Sequence, residues 1–229
     1  MTDSALRELA DDPSSRKRFF KMLGGAGAVS AATVILAACG DDEDETAAKP
    51  PAAADVKDNN NSDLKVLNYA LTLEFLEADF YDKVIASGLV KDPKVASLAK
   101  KFGSTEQEHV DALTATIKKL GGKPVSAPKT NFQPTLDKGL KAVLETAATV
   151  ENLGAAAYIG QAVNIKSNEV LAAALAIHSV EARHAAALNS LVGRGFGGMG
   201  GLEGSLPDGA FAKPMDEQAV LAAVKPFLA

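Results

Sequence analysis

Two short segments place a glutamate and a histidine three residues apart among apolar side chains. The first is "TEQEHVDAL", with Glu106 and His109, and the second is "HSVEARHAAAL", with Glu181 and His184. Residues three apart lie on one face of an α-helix, so each pair can direct a carboxylate and an imidazole toward the same point. These groups are ligands for divalent metal ions. One such pair is a weak signal, and it needs partners from other helices.

Four helical patterns supply those partners. Each pattern carries an apolar stripe, at steps of three and four residues, that is interrupted near its middle by one carboxylate. No lysine or arginine lies on any of the stripes. The interrupting residues, in chain order, are Glu74, Glu106, Glu151 and Glu181.

Four ionised carboxylates in a dry interior cost on the order of several kcal/mol each unless positive charge compensates them. Because the stripes carry no cationic side chain, two divalent metal ions are the expected counter-charge, +4 against −4. The histidines then complete the ligand set as neutral imidazoles. Helical bundles that bind two iron or manganese ions share a general pattern. Two helices each supply one Glu, and the other two each supply a Glu-x-x-His.

The two halves of the chain repeat this arrangement. Glu74 precedes Tyr81 by seven residues, and Glu151 precedes Tyr158 by seven, so each tyrosine lies two turns beyond its glutamate on the same face. Glu74 precedes the glutamate of the first pair by 32 residues, and Glu151 precedes that of the second by 30. Agreement between halves is a stronger signal than either motif alone.

The predicted fold is an all-α, antiparallel four-helix bundle with one long crossover between helices 2 and 3, followed by a short C-terminal helix. About 14 residues separate the second and third helices and can span on the order of 46 Å, whereas a helix of about 27 residues is on the order of 40 Å long. The loop can therefore cross the whole bundle. The predicted helices run from Ser62 or Asp63 to Gly88, from Asp92 to Gly121, from near Thr135 to about Ile165, and from Ser167 or Asn168 to Gly193.

The first 39 residues are predicted to be an export signal ending in a lipidation site. A basic start precedes an apolar run of about 17 residues, and small residues precede the only cysteine, Cys39. Residues 15–21, SRKRFFK, resemble a twin-arginine export motif in which Lys17 replaces the second arginine, so the export route stays open. Residues 36–39, LAAC, resemble a bacterial lipobox, which implies a lipid tether at Cys39. A transmembrane anchor is the alternative for the apolar run.

Three further segments complete the predicted organisation. Residues 40–61 are acidic and contain proline and asparagine, which is typical of a flexible linker. Residues 62–193 form the bundle. Residues 194–229 comprise a glycine-rich linker and the C-terminal helix.

With these motifs in place, residues 64–193 resemble a ferritin-like domain of the bacterial exported or desiccation-related kind. The stretch "LNYALTLEFLEADFY", residues 67–81, is the most similar to that family. The resemblance implies that Glu106 and Glu181 bridge two metal ions. It also implies that Tyr81 and Tyr158 hydrogen-bond or tune the outer ligands. The implied metal ligands are Glu74, Glu106, His109, Glu151, Glu181 and His184.

Two residues near this set have an open role. Glu77 lies one turn beyond Glu74 and is an alternative or extra ligand, a hydrogen-bond acceptor behind the ligands, or a partly buried carboxylate paired with a cation. His178 lies one turn before Glu181 and is either an extra ligand or a hydrogen-bonded core histidine.

Composition excludes several alternatives. A net charge of −5 provides no basic surface for nucleic acid. A single cysteine leaves no rubredoxin-type centre, and no methionine lies on the four bundle helices, so a haem ligated by methionine is not expected. The expected partners are a membrane, through the lipid at Cys39, and an unidentified electron donor, and a homodimer is one oligomeric state that we consider.

Three functions agree with the pattern. The first is a dinuclear, preferentially iron, oxidoreductase of the bacterial cell envelope, of ferroxidase or peroxidase type, acting on Fe(II), O2 or peroxide under oxidative or desiccation stress. The second is a manganese catalase-like enzyme, because the same ligands accept manganese. The third is a non-enzymatic metal-binding or structural stress protein with the same fold.

Overall fold

A computed structural model of the chain describes residues 53–194 and 211–229, with side chains described from residue 61 onward. The predicted export signal and the lipidation site at Cys39 lie outside these residues. Residues 58–229 form one compact unit, and the fold described below is that of this unit. Its helices are α1 (Ala53–Ser87), α2 (Pro93–Lys119), α3 (Gln133–Leu136), α4 (Leu140–Ala162), α5 (Asn168–Leu191) and α6 (Glu217–Val224), with a 3₁₀ turn at Lys225–Phe227.

Local sequence signals determine most helix ends. The Asp92 side chain caps α2 by accepting hydrogen bonds from the backbone N–H groups of Lys94 and Val95, at 2.8 and 3.0 Å. Beyond α2, Gly121 adopts a φ of 77°, in the left-handed region that glycine enters without strain. Ser167 caps α5 in the same way as Asp92 caps α2. The predicted bounds of α2 and α5 therefore agree closely with those in the structure.

Two predicted helix bounds are wrong. The first helix begins at Ala53, nine residues before the predicted cap at Ser62, and no glycine or proline interrupts it between Ala53 and Ser87. The third predicted helix is broken near its start. Gly139 has a φ of 84°, which separates the short helix α3 from α4, and α4 begins at Leu140.

The crossover between α2 and α4 runs along α1 for most of its length. Near its start the backbone N–H of Val125 donates to Asn68 Oδ1 at 2.8 Å. Further on, Lys83 Nζ donates to Thr130 Oγ1 at 2.6 Å, and Phe132 then packs against α1. The crossover thus passes from one end of the bundle to the other. The predicted all-α bundle with one long connection is confirmed.

The bundle interior contains two apolar clusters. One includes Phe80, Val84 and Phe102, and the other includes Leu71 and Ile117. Both draw residues from helices that also carry the four predicted glutamates, and those glutamates are buried as well. The apolar stripes predicted from the sequence therefore face the interior along their central turns. Near the end of α1 and at the start of α4, Ile85 and Leu140 are 38% and 37% exposed.

The C-terminal segment packs against α4 and the crossover, as predicted for a short final helix. Met215 donates its backbone N–H to Ala156 O at 3.1 Å, and α6 buries Val220 and Val224. Asn131 in the crossover donates to Phe227 O at 2.8 Å. Within the described residues, no helix is both long enough and apolar enough to cross a membrane.

We expect Phe132→Ala to destabilise the fold by about 3–5 kcal/mol, because Phe132 is fully buried and joins the crossover to two elements. Its ring lies 5.0 Å from that of Phe80 and 5.4 Å from that of Phe227, measured between centroids. Urea denaturation measures the loss. The matched control is Phe211→Ala, at a residue that is 86% exposed, which we expect to change the free energy of unfolding by less than about 0.5 kcal/mol. Equal effects of the two variants would contradict this assignment.

Candidate metal centre

The four glutamates that interrupt the apolar stripes meet in the middle of the bundle, together with both histidines. The exposed fraction is 0% for three of the glutamates and 1% for Glu74, and it is 8% for His109 and 6% for His184. Two groups of ligand atoms form there, and within each group all atoms lie within 4.8 Å of one another. The first group comprises Glu74, Glu106, His109 and Glu181, and the second comprises Glu106, Glu151, Glu181 and His184.

Glu106 and Glu181 belong to both groups. The carboxylate of Glu106 divides its oxygens between the two histidines: Oε2 lies 2.9 Å from His109 Nδ1, and Oε1 lies 2.8 Å from His184 Nδ1. Glu181 Oε1 lies 3.1 Å from His109 Nδ1. These two residues are the ones for which the sequence resemblance implied a bridging role, and the remaining ligand candidates each belong to one group.

More carboxylate oxygens lie close to the histidine nitrogens than hydrogen bonds from those nitrogens can satisfy. His109 Nδ1 lies within 3.1 Å of oxygens from Glu74, Glu106 and Glu181, yet a ring nitrogen carries at most one hydrogen. Glu106 Oε1 and Glu181 Oε1 each share one histidine nitrogen with oxygens of other carboxylates, and Glu181 Oε2 is buried without a hydrogen-bond partner among the described residues. Lone pairs that converge in this way fit a shared cation.

The two tyrosines each cross to the glutamate of the other half. Tyr81 Oη donates to Glu151 Oε1, and Tyr158 Oη donates to Glu74 Oε1, both at 2.5 Å. The second oxygen of each glutamate faces a histidine, since Glu74 Oε2 lies 3.1 Å from His109 Nδ1 and Glu151 Oε2 lies 3.2 Å from His184 Nδ1. The tyrosines thereby orient both carboxylates.

Glu77 and His178 lie outside both groups. Glu77 is 2% exposed, and its Oε2 is buried without a hydrogen-bond partner in the described part of the chain. His178 is half-buried, and its Nδ1 lies 3.0 Å from Ala155 O, which accounts for one ring nitrogen as a donor. Burial lowers the pKa of His178, which favours the neutral imidazole. His178 is thus a hydrogen-bonded histidine beside the centre.

Several residues around the centre were not singled out from the sequence. Phe102 stacks on His184, with ring centroids 3.8 Å apart and planes inclined by 25°. Next to Glu151, the buried Asn152 donates to Asn189 Oδ1 at 3.1 Å. No sequence motif marks Phe102 or the asparagine pair. Gly154 does have a sequence signal, because an isolated glycine in the middle of a helix often marks a place where another group packs close to the backbone.

Burial dominates the protonation of this cluster. Desolvation, followed by the neighbouring carboxylates, raises the pKa of Glu106 and Glu181 above the usual range, and the same causes raise that of Glu77. Burial alone would lower the pKa of His184, but hydrogen bonds to Glu106 and Glu151 raise it to about 9. Within the described residues, the carboxylates of the centre form ion pairs with His109 and His184. Without metal, the protein must therefore hold protons there.

We expect the metal-free protein to lose stability as the pH rises. A raised glutamate pKa means that the folded state binds more protons than the unfolded state from about pH 4.5 upward. His184 contributes in the same direction, with stability present below about pH 6.5 and lost as the pH passes about 9. The thermal midpoint should fall by roughly 5 to 10 °C between about pH 6.5 and about pH 9.

Differential scanning calorimetry of chelator-treated protein measures this change. The double variant Glu106→Gln, Glu181→Gln should show a shallower decline, because its side chains no longer titrate. If the thermal midpoint of the metal-free protein stays level or rises over the same pH range, the raised pKa values assigned to these side chains are wrong.

Comparison with known proteins agrees with this geometry. A model of the ferritin-like domain family matches residues 62–194, which is more than half of the chain. A comparison with curated proteins finds no match. The matched range contains the four long helices from residue 62 onward, the crossover and all six residues of the two groups. The chain belongs to the ferritin-like domain family.

Proposed function

We propose that this chain is a dinuclear metal protein of the bacterial cell envelope, whose ions, preferentially iron, react with O2 or peroxide. The observation that carries the proposal is that Glu106 and Glu181 each belong to both groups of ligand atoms. Two carboxylates shared in this way suit two adjacent ions rather than one. The six proposed ligands are Glu74, Glu106, His109, Glu151, Glu181 and His184.

Charge supports two ions rather than protons alone. Four buried carboxylates carry −4 when ionised, and two divalent ions restore neutrality while the imidazoles stay neutral. Protonated histidines could neutralise only half of that charge. Glu181 Oε2 would still lack a hydrogen bond, because it has no partner among the described residues. A metal ion would use this oxygen.

The ligand chemistry favours iron, with manganese as the alternative metal. Carboxylate oxygens are hard ligands that stabilise oxidised metal, and iron held by them supplies electron exchange with O2 or peroxide. The protein's own residues supply orientation and seclusion. Tyr81 and Tyr158 fix the outer carboxylates. Phe102 covers one face of the His184 ring.

The envelope location is a proposal from the sequence alone. The segment before Cys39 has the layout of an export signal with a lipobox, and a lipid at that cysteine would hold the bundle at a membrane surface. The same tether disfavours a closed storage shell, because many anchors would have to reach one membrane. We therefore propose reaction with oxidants, rather than bulk iron storage, as the role.

We expect Glu106→Ala and Glu181→Ala each to abolish binding of both ions, because each residue belongs to both groups. Glu74→Ala and Glu151→Ala remove a ligand from one group only and should each weaken one ion far more than the other. Elemental analysis after anaerobic Fe(II) loading counts the ions, and the wild-type protein should contain two per chain. Absorption spectroscopy after O2 or peroxide addition then tests reactivity.

The control for these variants is Glu145→Ala. Glu145 lies on α4 and pairs with Lys141 at 3.6 Å, outside the centre. It should leave the metal content unchanged. Full metal content in the Glu106 and Glu181 variants would disprove the proposed site, and manganese in protein isolated from its native compartment would favour catalase-like chemistry.

We expect Tyr81→Phe and Tyr158→Phe to lower metal affinity by about 10- to 100-fold, because each removes the hydrogen bond that orients an outer ligand. Tyr69→Phe is the matched control, since Tyr69 Oη is buried without a hydrogen-bond partner among the described residues. Calorimetric titration with Mn(II) measures the three affinities. Equal behaviour of all three variants would show that the tyrosine hydroxyls do not support the ligands.

A further inference from the structure

A fifth buried carboxylate, Glu77, lies beside the four that the proposed function uses. It is 2% exposed, one helical turn after Glu74, and its Oε2 has no hydrogen-bond partner in the described part of the chain. A buried carboxylate oxygen without a partner is costly unless a donor or a cation satisfies it. A metal ion in the adjacent centre would supply the partner that Oε2 lacks.

The internal repeat shows where this carboxylate is accommodated. Three residues after Glu74 the first half has Glu77, and three residues after Glu151 the second half has Gly154. A Cβ atom built on Gly154 would lie 2.9 Å from Glu77 Oε1 and 3.1 Å from Glu181 Oε2. The glycine therefore leaves open the space in which these two carboxylates approach each other.

The difference between Glu77 and Gly154 makes the two halves of the metal centre unequal. Every other proposed ligand has an equivalent in the opposite half, so the six ligands alone would make the two positions nearly alike. Glu77 has no equivalent, and its carboxylate lies next to Glu181, one of the two residues shared by both groups. Glu77 lies outside both groups as they stand, so binding an ion would bring its carboxylate closer to one of them.

We propose that Glu77 is a seventh metal ligand, which binds beside Glu181 in the space left by Gly154 and makes the two metal positions unequal. This inference rests on the proposed function. It adds a ligand that has no equivalent in the other half of the repeat. It also gives Gly154 a role, because the absence of a side chain there leaves room for the Glu77 carboxylate.

The test is an anaerobic titration of the full-length protein with Mn(II), with free Mn(II) followed by electron paramagnetic resonance and heat by calorimetry. The wild-type protein should bind two ions with different affinities. In Glu77→Gln, one of the two affinities should fall by at least about tenfold while the other stays within about twofold. Glutamine matches the shape of a protonated carboxyl group, so a protonated spectator would leave both affinities unchanged.

Two further variants separate ligation from general disturbance. Gly154→Ala should weaken binding of the ion that Glu77→Gln weakens at least as strongly as Glu77→Gln does, because the added methyl group crowds Glu77 Oε1 and also Glu181 Oε2. Glu145→Gln removes one negative charge from α4 outside the centre and should change neither affinity. Thermal unfolding of each metal-free variant verifies that it is folded before titration.

The outcomes are distinguishable. Two wild-type ions with unchanged affinities in Glu77→Gln would overturn the role of Glu77 and leave the proposed function intact. An equal loss of both affinities would also overturn it, because the effect would then not be specific to one position. A folded wild-type protein that binds no Mn(II) and no Fe(II) would overturn both proposals.

Discussion

The burial of ionisable carboxylates in the middle of a helical bundle is the constraint on which the rest of this structure depends. Four helices each bring one glutamate to a point where solvent cannot reach it, and no lysine or arginine side chain pairs with these groups in the described residues. Such an arrangement is costly unless protons or metal ions compensate it. Fold and chemistry are thereby linked, since the helices can pack closely only if the centre is neutralised.

The arrangement has an approximate twofold repeat that is visible in the hydrogen bonds. Each half supplies a tyrosine to the glutamate of the other half, and each histidine faces carboxylates contributed by both halves. These contacts join the helix pair α1 and α2 to the helix pair α4 and α5 through the centre as well as through apolar packing. The repeat is broken where Glu77 in the first half corresponds to Gly154 in the second. A symmetric scaffold can therefore hold two unlike positions.

The outer parts of the fold support the helices that carry the ligands. The crossover packs Phe132 against α1, and the C-terminal segment bonds to both the crossover and α4. At the opposite end, Asp63 on α1 accepts hydrogen bonds from the backbone N–H groups of Lys166 and Ser167, at 2.7 and 2.9 Å. These contacts fix the relative position of α1, α4 and α5, and the distances between carboxylates depend on that position.

The helical periodicity, the two Glu-x-x-His pairs, the stripes interrupted by glutamates and the length of the crossover can be read from the sequence, because each depends on residues close together in the chain. The break at Gly139 cannot, because a single glycine does not reveal its φ. Helix packing sets which oxygen faces which histidine, brings each tyrosine to the opposite half and places Glu77 over Gly154. These features join residues up to 84 positions apart in the chain and depend on the rotation and register of the helices. No local pattern encodes that register.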